Sequence, residues 1–280
     1  MERVDLHSHT TASDGLLRPD QVIQLAREVG LKAVAITDHD TVSGIEEAQE
    51  EGRKLGIKVV PGVEISTLWD GKEIHMLGYY IYPHDPELLK KLEDLRDVRK
   101  IRNQMMISKL NQLGIEITLE EVAEKSKRKA PGLNVGRPHI AEVLIDKGVV
   151  GSMDEAFDRY LGRDGLAYVT PKRITPFEAI DIIHGGGGVA VIAHPGLYEQ
   201  DEVIPQLVEC GLDGIEVNHP DHTEEAKRRY RGIAEKYHLI ATAGSDFHGE
   251  RNGSMYHAQL GTCTADYSRV KELKQAAGKR

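Results

Sequence analysis

Histidine and acidic residues recur in short clusters in this sequence, each close to the end of an apolar segment. The clusters contain His7 and His9; Asp38, His39 and Asp40; Glu64 and His75; His194; and Asp246 and His248. Imidazole nitrogens and carboxylate oxygens are protein ligands that Zn, Mn and Fe accept. Residues 7 and 9, like 246 and 248, alternate along an extended chain and can face the same ion. The sequence therefore predicts one centre that binds several metal ions.

Apolar, β-rich stretches alternate with amphipathic segments in both halves of the chain. In the first half we predict strands at residues 4–6, 33–36 and 57–65, with helices at 19–29 and 43–55. The second half predicts helices at 176–184, 202–210 and 223–237 and strands at 189–193, 214–217 and 239–243. Such alternation indicates parallel strands joined by crossover helices.

A closed (β/α) barrel explains the position of the clusters better than an open sheet does. Functional residues of a barrel collect on the loops after its strands, whereas an open doubly wound sheet gathers them at one crevice. Residues 7–9 and 246–248 can share a site only if the first and last strands are neighbours, which closure provides. His75 is the exception, because the pattern places it within a strand at about residues 73–81.

The strand pattern stops between about residues 86 and 165, where helical patterning takes over. We predict a barrel formed by residues 1–85 and 166–280 and an inserted helical subdomain, residues 86–165, that caps the substrate. Ten Lys or Arg oppose five Asp or Glu between residues 96 and 137, although the whole chain has a net charge of −9. The insert is therefore a basic region within an acidic protein.

Bulk composition excludes several classes of protein. The chain has 280 residues, of which 40% are hydrophobic, enough for a globular core. Its acidity argues against a general affinity for nucleic acid or anionic membranes. We find neither a signal-peptide core nor an apolar run of membrane-spanning length, and predict a cytoplasmic protein without a stable protein partner. Only two cysteines occur, so any metal must use nitrogen and oxygen ligands.

The clusters resemble the motifs of the PHP (polymerase and histidinol phosphatase) superfamily of metal-dependent phosphoesterases. The matching motifs are His7-Ser8-His9, Thr37-Asp38-His39, Glu64 with His75, His194, and Asp246-Phe247-His248, in the family's order. The resemblance implies a distorted (β/α)7 barrel, a TIM-like α/β fold, with three divalent ions, usually Mn, Fe or Zn. It also implies a ligand set: His7, His9, Glu64 and Asp246 for one ion; Glu64, His75 and His194 for a second; Asp14, His39 and His248 for a third.

The helical insert, with its segments 99–103 and 136–139, resembles one branch of that superfamily. That branch hydrolyses nucleoside 3′,5′-bisphosphates, 5′-mononucleotides such as AMP, and short RNA 5′ ends. The resemblance implies attack on phosphorus by a metal-activated hydroxide, with Glu64, Asp14, His39 and His194 as catalytic residues. It further implies that Arg102, Asn103 and Arg137 hold a remote phosphate, since guanidinium groups offer paired donors to phosphate oxygens. Three divalent ions against three ligand carboxylates leave about three positive charges, which suits a phosphate dianion.

The sequence leaves other functions open. A histidinol-phosphate-type phosphatase shares the motifs, and a non-catalytic metal-stabilised module of the kind that accompanies polymerases is a different class. Amidohydrolase chemistry on a similar barrel often uses a lysine near a strand end, and Lys172 is the nearby candidate.

The remaining polar residues carry weaker expectations. Asp5, Asp38 and Asp40 flank the ligands and either orient imidazole N–H groups or lie in solvated loops. The sequence assigns no role to a further set of histidines: His84, His184, His222, His238 and His257.

Overall fold

A sheet of eight strands, nearly closed into a barrel, forms the centre of the molecule. The computed structural model describes residues 2–127, 135–169, 171–251, 254–255 and 257–279. The strands are β1 (Arg3–Asp5), β2 (Ala33–Ile36), β3 (Lys58–Trp69), β4 (Lys72–Tyr79), β5 (Val189–Ile192), β6 (Gly214–Asn218), β7 (Ile240–Ala243), a separate β8 (Glu250–Arg251) and β9 (Ser254–Met255) ribbon, and β10 (Ala265–Asp266). The order in the sheet is β10-β1-β2-β3-β4-β5-β6-β7.

Helices cover the outside of the sheet and fill the insert. They are α1 (Pro19–Glu28), α2 (Ile45–Leu55), α3 (Pro86–Gln112), α4 (Leu119–Lys127), α5 (Arg137–Asp146), α6 (Met153–Ala156), α7 (Pro176–Gly185), α8 (Ile204–Glu209), α9 (Glu224–Tyr237) and α10 (Ser268–Ala277). The predicted boundaries hold where cap residues fix them. Thr175 and Glu178 form a capping box at the start of α7, next to Pro176, and such caps satisfy the free N–H groups of a first turn.

The end of β7 closes the barrel against the chain that follows β1. Leu6 N–H donates to Ala243 O at 3.0 Å, and His9 N–H donates to Phe247 O at 2.8 Å. Gly244 permits this contact, because a Cβ at that position would collide with the backbone and Cβ of His7. The predicted neighbourhood of the first and last strands is confirmed.

The prediction of parallel strands is wrong at β4, which pairs antiparallel with both β3 and β5, and β10 also pairs antiparallel with β1. β3 and β4 form a hairpin across Asp70 and Gly71, both of which have positive φ, as type I′ turns require. Reversal of β4 brings its N-terminal half to the barrel end where the parallel strands finish. His75 therefore reaches the same end as the other clusters, which resolves the apparent exception.

Two separate apolar clusters divide the helices between the barrel and the insert. The first three turns of α3 pack Leu88, Leu92 and Leu95 into the barrel cluster. Later in the same helix, Met106 and Leu110 join a cluster made by α4, α5 and the segment up to Val169. Helix α3 thus contributes to both clusters. The division at residues 86 and 165 stays a prediction, and residues 128–134, within the basic stretch, lie outside the described residues.

Within the described parts of the chain, every helix is too short or too polar to cross a membrane.

Candidate metal centre

The nine predicted ligand side chains converge at one end of the barrel. His7 and His9 follow β1, His39 follows β2, His194 follows β5, and Asp246 and His248 follow β7, while Glu64 and His75 lie in β3 and β4. Asp14 reaches them from the loop after β1. Eight of the nine are buried, and His75 is the partly exposed one. The structure thus assembles residues that are up to 241 positions apart in the chain.

One group of four ligand atoms has the spacing that a tetrahedral cation requires. His7 Nε2 lies 3.4 Å from Glu64 Oε2 and 3.3 Å from Asp246 Oδ1. His9 Nε2 lies 3.2 Å and 3.1 Å from the same two oxygens. Ligands about 2.1 Å from an ion lie about 3.4 Å from one another in a tetrahedral site.

These four atoms are buried and make no aligned hydrogen bond with any described residue of the chain. Buried polar atoms normally have a partner, so the residues fit a bound cation.

Hydrogen bonds at the far side of two imidazoles fix the tautomer that a metal needs. His248 Nδ1 lies 2.8 Å from the backbone carbonyl oxygen of Asp246, which can only accept a hydrogen bond. His7 Nδ1 lies 3.1 Å from the Glu216 carboxylate, which is also an acceptor. Each ring therefore carries its proton on Nδ1 and presents the Nε2 lone pair to the centre.

His9 is oriented by a similar relay. The Ser13 hydroxyl donates to Asp38 at 2.6 Å, so its oxygen faces His9 Nδ1 at 3.5 Å as an acceptor. Asp38 also accepts from the backbone and hydroxyl of Thr10, and Asp5 accepts from the backbone N–H groups of Ser245 and Gly261. Asp5 and Asp38 are both buried, so they are not solvated loop carboxylates, and their hydrogen bonds go to backbone and hydroxyl groups and not to an imidazole N–H. They hold the loops that carry the ligands.

Glu64 joins two ligand groups through its separate oxygens. Glu64 Oε1 lies 2.7 Å from His75 Nδ1 and 3.1 Å from His194 Nε2. Glu64 Oε2, which faces His7 and His9, also lies 3.1 Å from His39 Nδ1. A carboxylate in this position can bridge two cations, as sites with paired metals require.

Asp14 forms the centre of a third group. Its Oδ1 lies 3.3 Å from His248 Nε2 and 3.9 Å from His39 Nε2. These ligand atoms, with that of His9, all lie within 4.8 Å of one another. His39 stands between Glu64 and Asp14, and the structure brings together the side chains expected for a third ion.

The three carboxylates are anionic in this environment. Burial by itself raises the pKa of Glu64, but His39, His75 and His7 outweigh it and hold that pKa well below its ordinary value. The same balance of burial against neighbouring imidazoles keeps the pKa of Asp14 and of Asp246 well below the usual range. The centre therefore offers fixed negative charge to cations.

Strained backbone marks several of these positions. His194, Asp246 and Asp40 have φ of 25°, 49° and 51°, in the left-handed region that non-glycine residues rarely adopt. Tyr198 helps to hold the first of them, because its hydroxyl lies 2.7 Å from His194 Nδ1 while accepting the His75 backbone N–H at 2.9 Å. Such strained conformations persist where surrounding contacts hold the backbone in place, and they are concentrated at functional sites.

Sequence reasoning missed two residues that hold Asp246. His219 Nδ1 accepts the Asp221 backbone N–H, so its proton lies on Nε2, which is 3.4 Å from Asp246 Oδ2. His257, to which the sequence assigns no role, places its Nε2 3.3 Å from the same oxygen of Asp246. Both imidazoles engage Oδ2 and leave Oδ1 for the group that includes His7. His219 follows the predicted strand 214–217, which is the signal that could have identified it.

Glu216 was also missed, although it touches two predicted ligands. It is fully buried in β6, faces His7 Nδ1, and accepts the backbone N–H of His194 at 2.8 Å. Glu216 therefore orients the His7 imidazole, a role that the sequence analysis considered for Asp5, Asp38 and Asp40.

A cluster of arginines borders the metal ligands in one pocket of about 350 Å³. Glu73 accepts from Arg137 at 2.6 Å and from Arg173 at 2.5 Å, and lies 3.6 Å from Arg102. Asn103 stands behind this cluster, with its amide oxygen accepting from Arg102 and its nitrogen donating to Val135 O at 2.7 Å. Of the three predicted phosphate-binding residues, Arg102 and Arg137 line the pocket, whereas Asn103 supports Arg102.

A second ion pair fixes the neighbouring wall. Arg99 donates to Asp40 Oδ2 at 2.7 Å and to the hydroxyl of Ser66 at 2.8 Å. Asp40 therefore binds an arginine of the insert, and it is buried. Among the described residues it neither pairs with an imidazole nor lies in a solvated loop, so neither expectation for it holds.

Comparison with known proteins agrees with this geometry. A PHP domain model matches residues 5–145. The 5′-3′ exoribonuclease Rnm of Escherichia coli K12 is 38% identical over 251 residues, covering 87% of this chain and 84% of its own. A 3′,5′-nucleoside bisphosphate phosphatase of Chromobacterium violaceum is 33% identical over 258 residues, covering 90% of each chain.

A solved structure extends the similarity to the fold. A Bifidobacterium adolescentis protein, inferred to be a metal-dependent phosphoesterase, superposes with a TM-score of 0.88 at 32% identity and covers 96% of this chain and 94% of its own. The barrel, the convergent ligands and these relatives agree: the chain belongs to the PHP domain family and is a metal-dependent hydrolase of phosphoester bonds.

Proposed function

We propose that the enzyme removes phosphate from small nucleotides, above all nucleoside 3′,5′-bisphosphates, and also acts on mononucleotides such as AMP and on short RNA 5′ ends. The observation that carries the proposal is an arginine cluster beside the metal ligands. Arg102 and Arg137 line the same pocket as His39 and His75. A substrate with two phosphates can place one at each location.

The arginine cluster has more positive than negative charge. Arg99 pairs with Asp40, but Arg102, Arg137 and Arg173 share the single carboxylate of Glu73. Burial, and then the charges of the neighbouring guanidinium groups, lowers the pKa of Arg102 well below its ordinary value. Buried cations in excess of their counter-charges favour an anionic ligand, and a phosphate dianion supplies the missing charge.

The spacing of the two regions suits a single nucleotide. Glu73 and His75 are two residues apart in β4 and point to the same side of the strand. Two residues of a strand span about 6.7 Å. This spacing along β4 is close to the width of one sugar, which is what divides the phosphates of a 3′,5′-bisphosphate.

The residues of the centre would hold three divalent cations, for which we infer Mn, Fe or Zn from the mixture of imidazole and carboxylate. Bound cations supply an activated water for attack on phosphorus and neutralise the charge of the transferring group. The three groups described above would hold one cation each, with Glu64 shared between two. The pair His39 and Glu64 links all three groups, so these residues would also set the geometry of the reaction.

Other substrates suit the pocket less well. Histidinol phosphate carries an amine cation, which the excess positive charge of the arginine cluster would repel. Lys172, the candidate for amidohydrolase chemistry, is exposed and is not among the described residues that line the pocket. A non-catalytic module would have no use for an anion subsite beside its ions.

The insert would then be a cap that brings charge to the substrate. Arg102 and Arg137 lie in α3 and α5, within the predicted subdomain 86–165, whereas Glu73 belongs to the barrel. The subsite is thus made where the two regions meet. A cytoplasmic enzyme without a stable protein partner stays a prediction.

A substrate panel tests this proposal. Metal-reconstituted protein is incubated with adenosine 3′,5′-bisphosphate, AMP, a 5′-phosphorylated RNA oligomer and histidinol phosphate, and the release of phosphate and nucleotide is measured with and without chelator. We expect the highest kcat/KM for the bisphosphate and no turnover with chelator. A preference for histidinol phosphate would contradict the substrate assignment, and chelator-resistant turnover would contradict the metal mechanism.

A further inference from the structure

Glu73 has a position that the proposed function does not explain. It is a carboxylate at the wall of a pocket otherwise suited to anions, and it lies among the guanidinium groups that would bind the second phosphate. An acidic side chain at this place would repel a phosphate. Its presence therefore requires an explanation.

The two oxygens of Glu73 serve different arginines. Oε1 accepts from Arg173 at 2.5 Å, and Oε2 accepts from Arg137 at 2.6 Å. The third arginine, Arg102, places its Nη1 3.6 Å from Oε1, beyond hydrogen-bond distance. The carboxylate thus occupies the donors of two arginines and leaves a third, nearly fully buried one without a close counter-ion contact from it.

Accessibility separates the partners of Glu73. The side chains of Glu73 and Arg137 are 18% and 20% exposed, whereas those of Arg173 and Arg102 are 5% and 4% exposed. The Glu73 to Arg137 contact therefore faces the pocket, and the Arg173 contact lies behind it. An anion that enters the pocket can take the donors of Arg137 while Glu73 keeps Arg173.

We propose that Glu73 is an internal substitute for the second phosphate and sets the affinity of that subsite by competing with the substrate for Arg137. In the free enzyme the carboxylate keeps the guanidinium groups ordered and partly neutralised. On binding, the second phosphate takes over Arg137 and gains contact with Arg102, while the Oε1 contact to Arg173 persists. Glu73 is thus a specificity-determining residue, and this inference rests on the two-phosphate substrate class proposed above.

The test is Glu73→Gln, which keeps the shape of the side chain and removes its charge. We expect KM for adenosine 3′,5′-bisphosphate to fall about tenfold, the effect of releasing roughly one charge-assisted hydrogen bond. For AMP, whose single phosphate lies at the metal centre, we expect kcat and KM to change by less than about twofold. If Glu73 had only a structural role, the substitution would change the kinetic constants for the bisphosphate and for AMP by similar factors.

The matched control is Glu199→Gln, which removes the same charge from an exposed residue that lines the same pocket. We expect it to leave the ratio of the two KM values unchanged. If Glu73→Gln folds poorly, Glu73→Asp decides, because it retains the charge but withdraws the oxygens from Arg137. The expected result is a smaller decrease in KM for the bisphosphate.

Two outcomes overturn the inference about Glu73: an unchanged KM for the bisphosphate, or a raised one, which would mean that the carboxylate only organises the arginines. A wild-type enzyme that shows no preference for the bisphosphate over AMP points elsewhere. That result would remove the second-phosphate subsite of the proposed function itself.

Discussion

Replacement of Glu216 by Gln tests whether a buried carboxylate behind His7 controls metal binding. Glu216 accepts from two donors, the Nδ1–H of His7 and the backbone N–H of His194. A glutamine has one acceptor oxygen, so its NH2 group must face one of these donors. If the NH2 group faces His7, the imidazole proton must move from Nδ1 to Nε2, which is the wrong tautomer for metal binding. If it faces His194, the buried backbone N–H of His194 loses its acceptor.

The expected loss follows from the same contacts. Removing the residue that orients a metal-ligating histidine typically costs 10- to 100-fold in metal affinity or activity, which corresponds to about 1.4 to 2.7 kcal/mol. We expect Glu216→Gln to weaken metal binding by that factor at the ion held by His7, with a matching loss of kcat at limiting metal. Saturating metal should restore part of the activity.

The assay is a metal titration against a competing chelator, followed by activity at each metal concentration. The control is Glu209→Gln, the same substitution at an exposed position of α8. A melting temperature for each variant separates lost metal from lost fold. Metal affinity and kcat within twofold of wild type for Glu216→Gln would refute the reasoning.

Four further substitutions test other parts of the molecule. His39→Ala or Glu64→Ala should abolish turnover, because these side chains link the ligand groups. Metal analysis and phosphate release measure this effect, and substantial activity in either variant would contradict the shared-ligand arrangement. Arg137→Ala should mainly raise KM for nucleotides with a second phosphate and leave kcat nearly unchanged. Steady-state kinetics with the bisphosphate and AMP measure this effect, and equal KM values for the bisphosphate in variant and wild type would contradict the assignment of Arg137 to the second phosphate. Gly244→Ala should destabilise the fold by about 1 to 3 kcal/mol through overpacking against His7 and should also reduce the metal content. Urea unfolding and elemental analysis measure these two effects. An unperturbed variant would mean that the closure of the barrel tolerates a side chain at position 244.

Local features of the fold were readable from the sequence because they depend on neighbours along the chain. The alternation of residues 7 and 9 puts two imidazoles on one side of the extended chain after β1, and Thr175, Pro176 and Glu178 mark the start of α7. The reversal of β4 was also encoded locally, since Asp70-Gly71 between two β-rich stretches is a strong hairpin signal. The predicted pattern of parallel strands does not include this reversal, and it therefore leaves the position of His75 unexplained.

The sequence by itself determined the chemistry of the centre: which side chains could bind a metal, and that most of them follow strands. Tertiary structure decided which atoms meet. His7 and Glu216 are 209 positions apart, and no local pattern distinguishes Glu216 from the other carboxylates of an acidic chain. The contact between Glu73 and Arg173, which are 100 positions apart, likewise could not be predicted from the neighbours of either residue along the chain. Periodicity reports the face of one element, whereas contacts between elements depend on how the whole sheet closes.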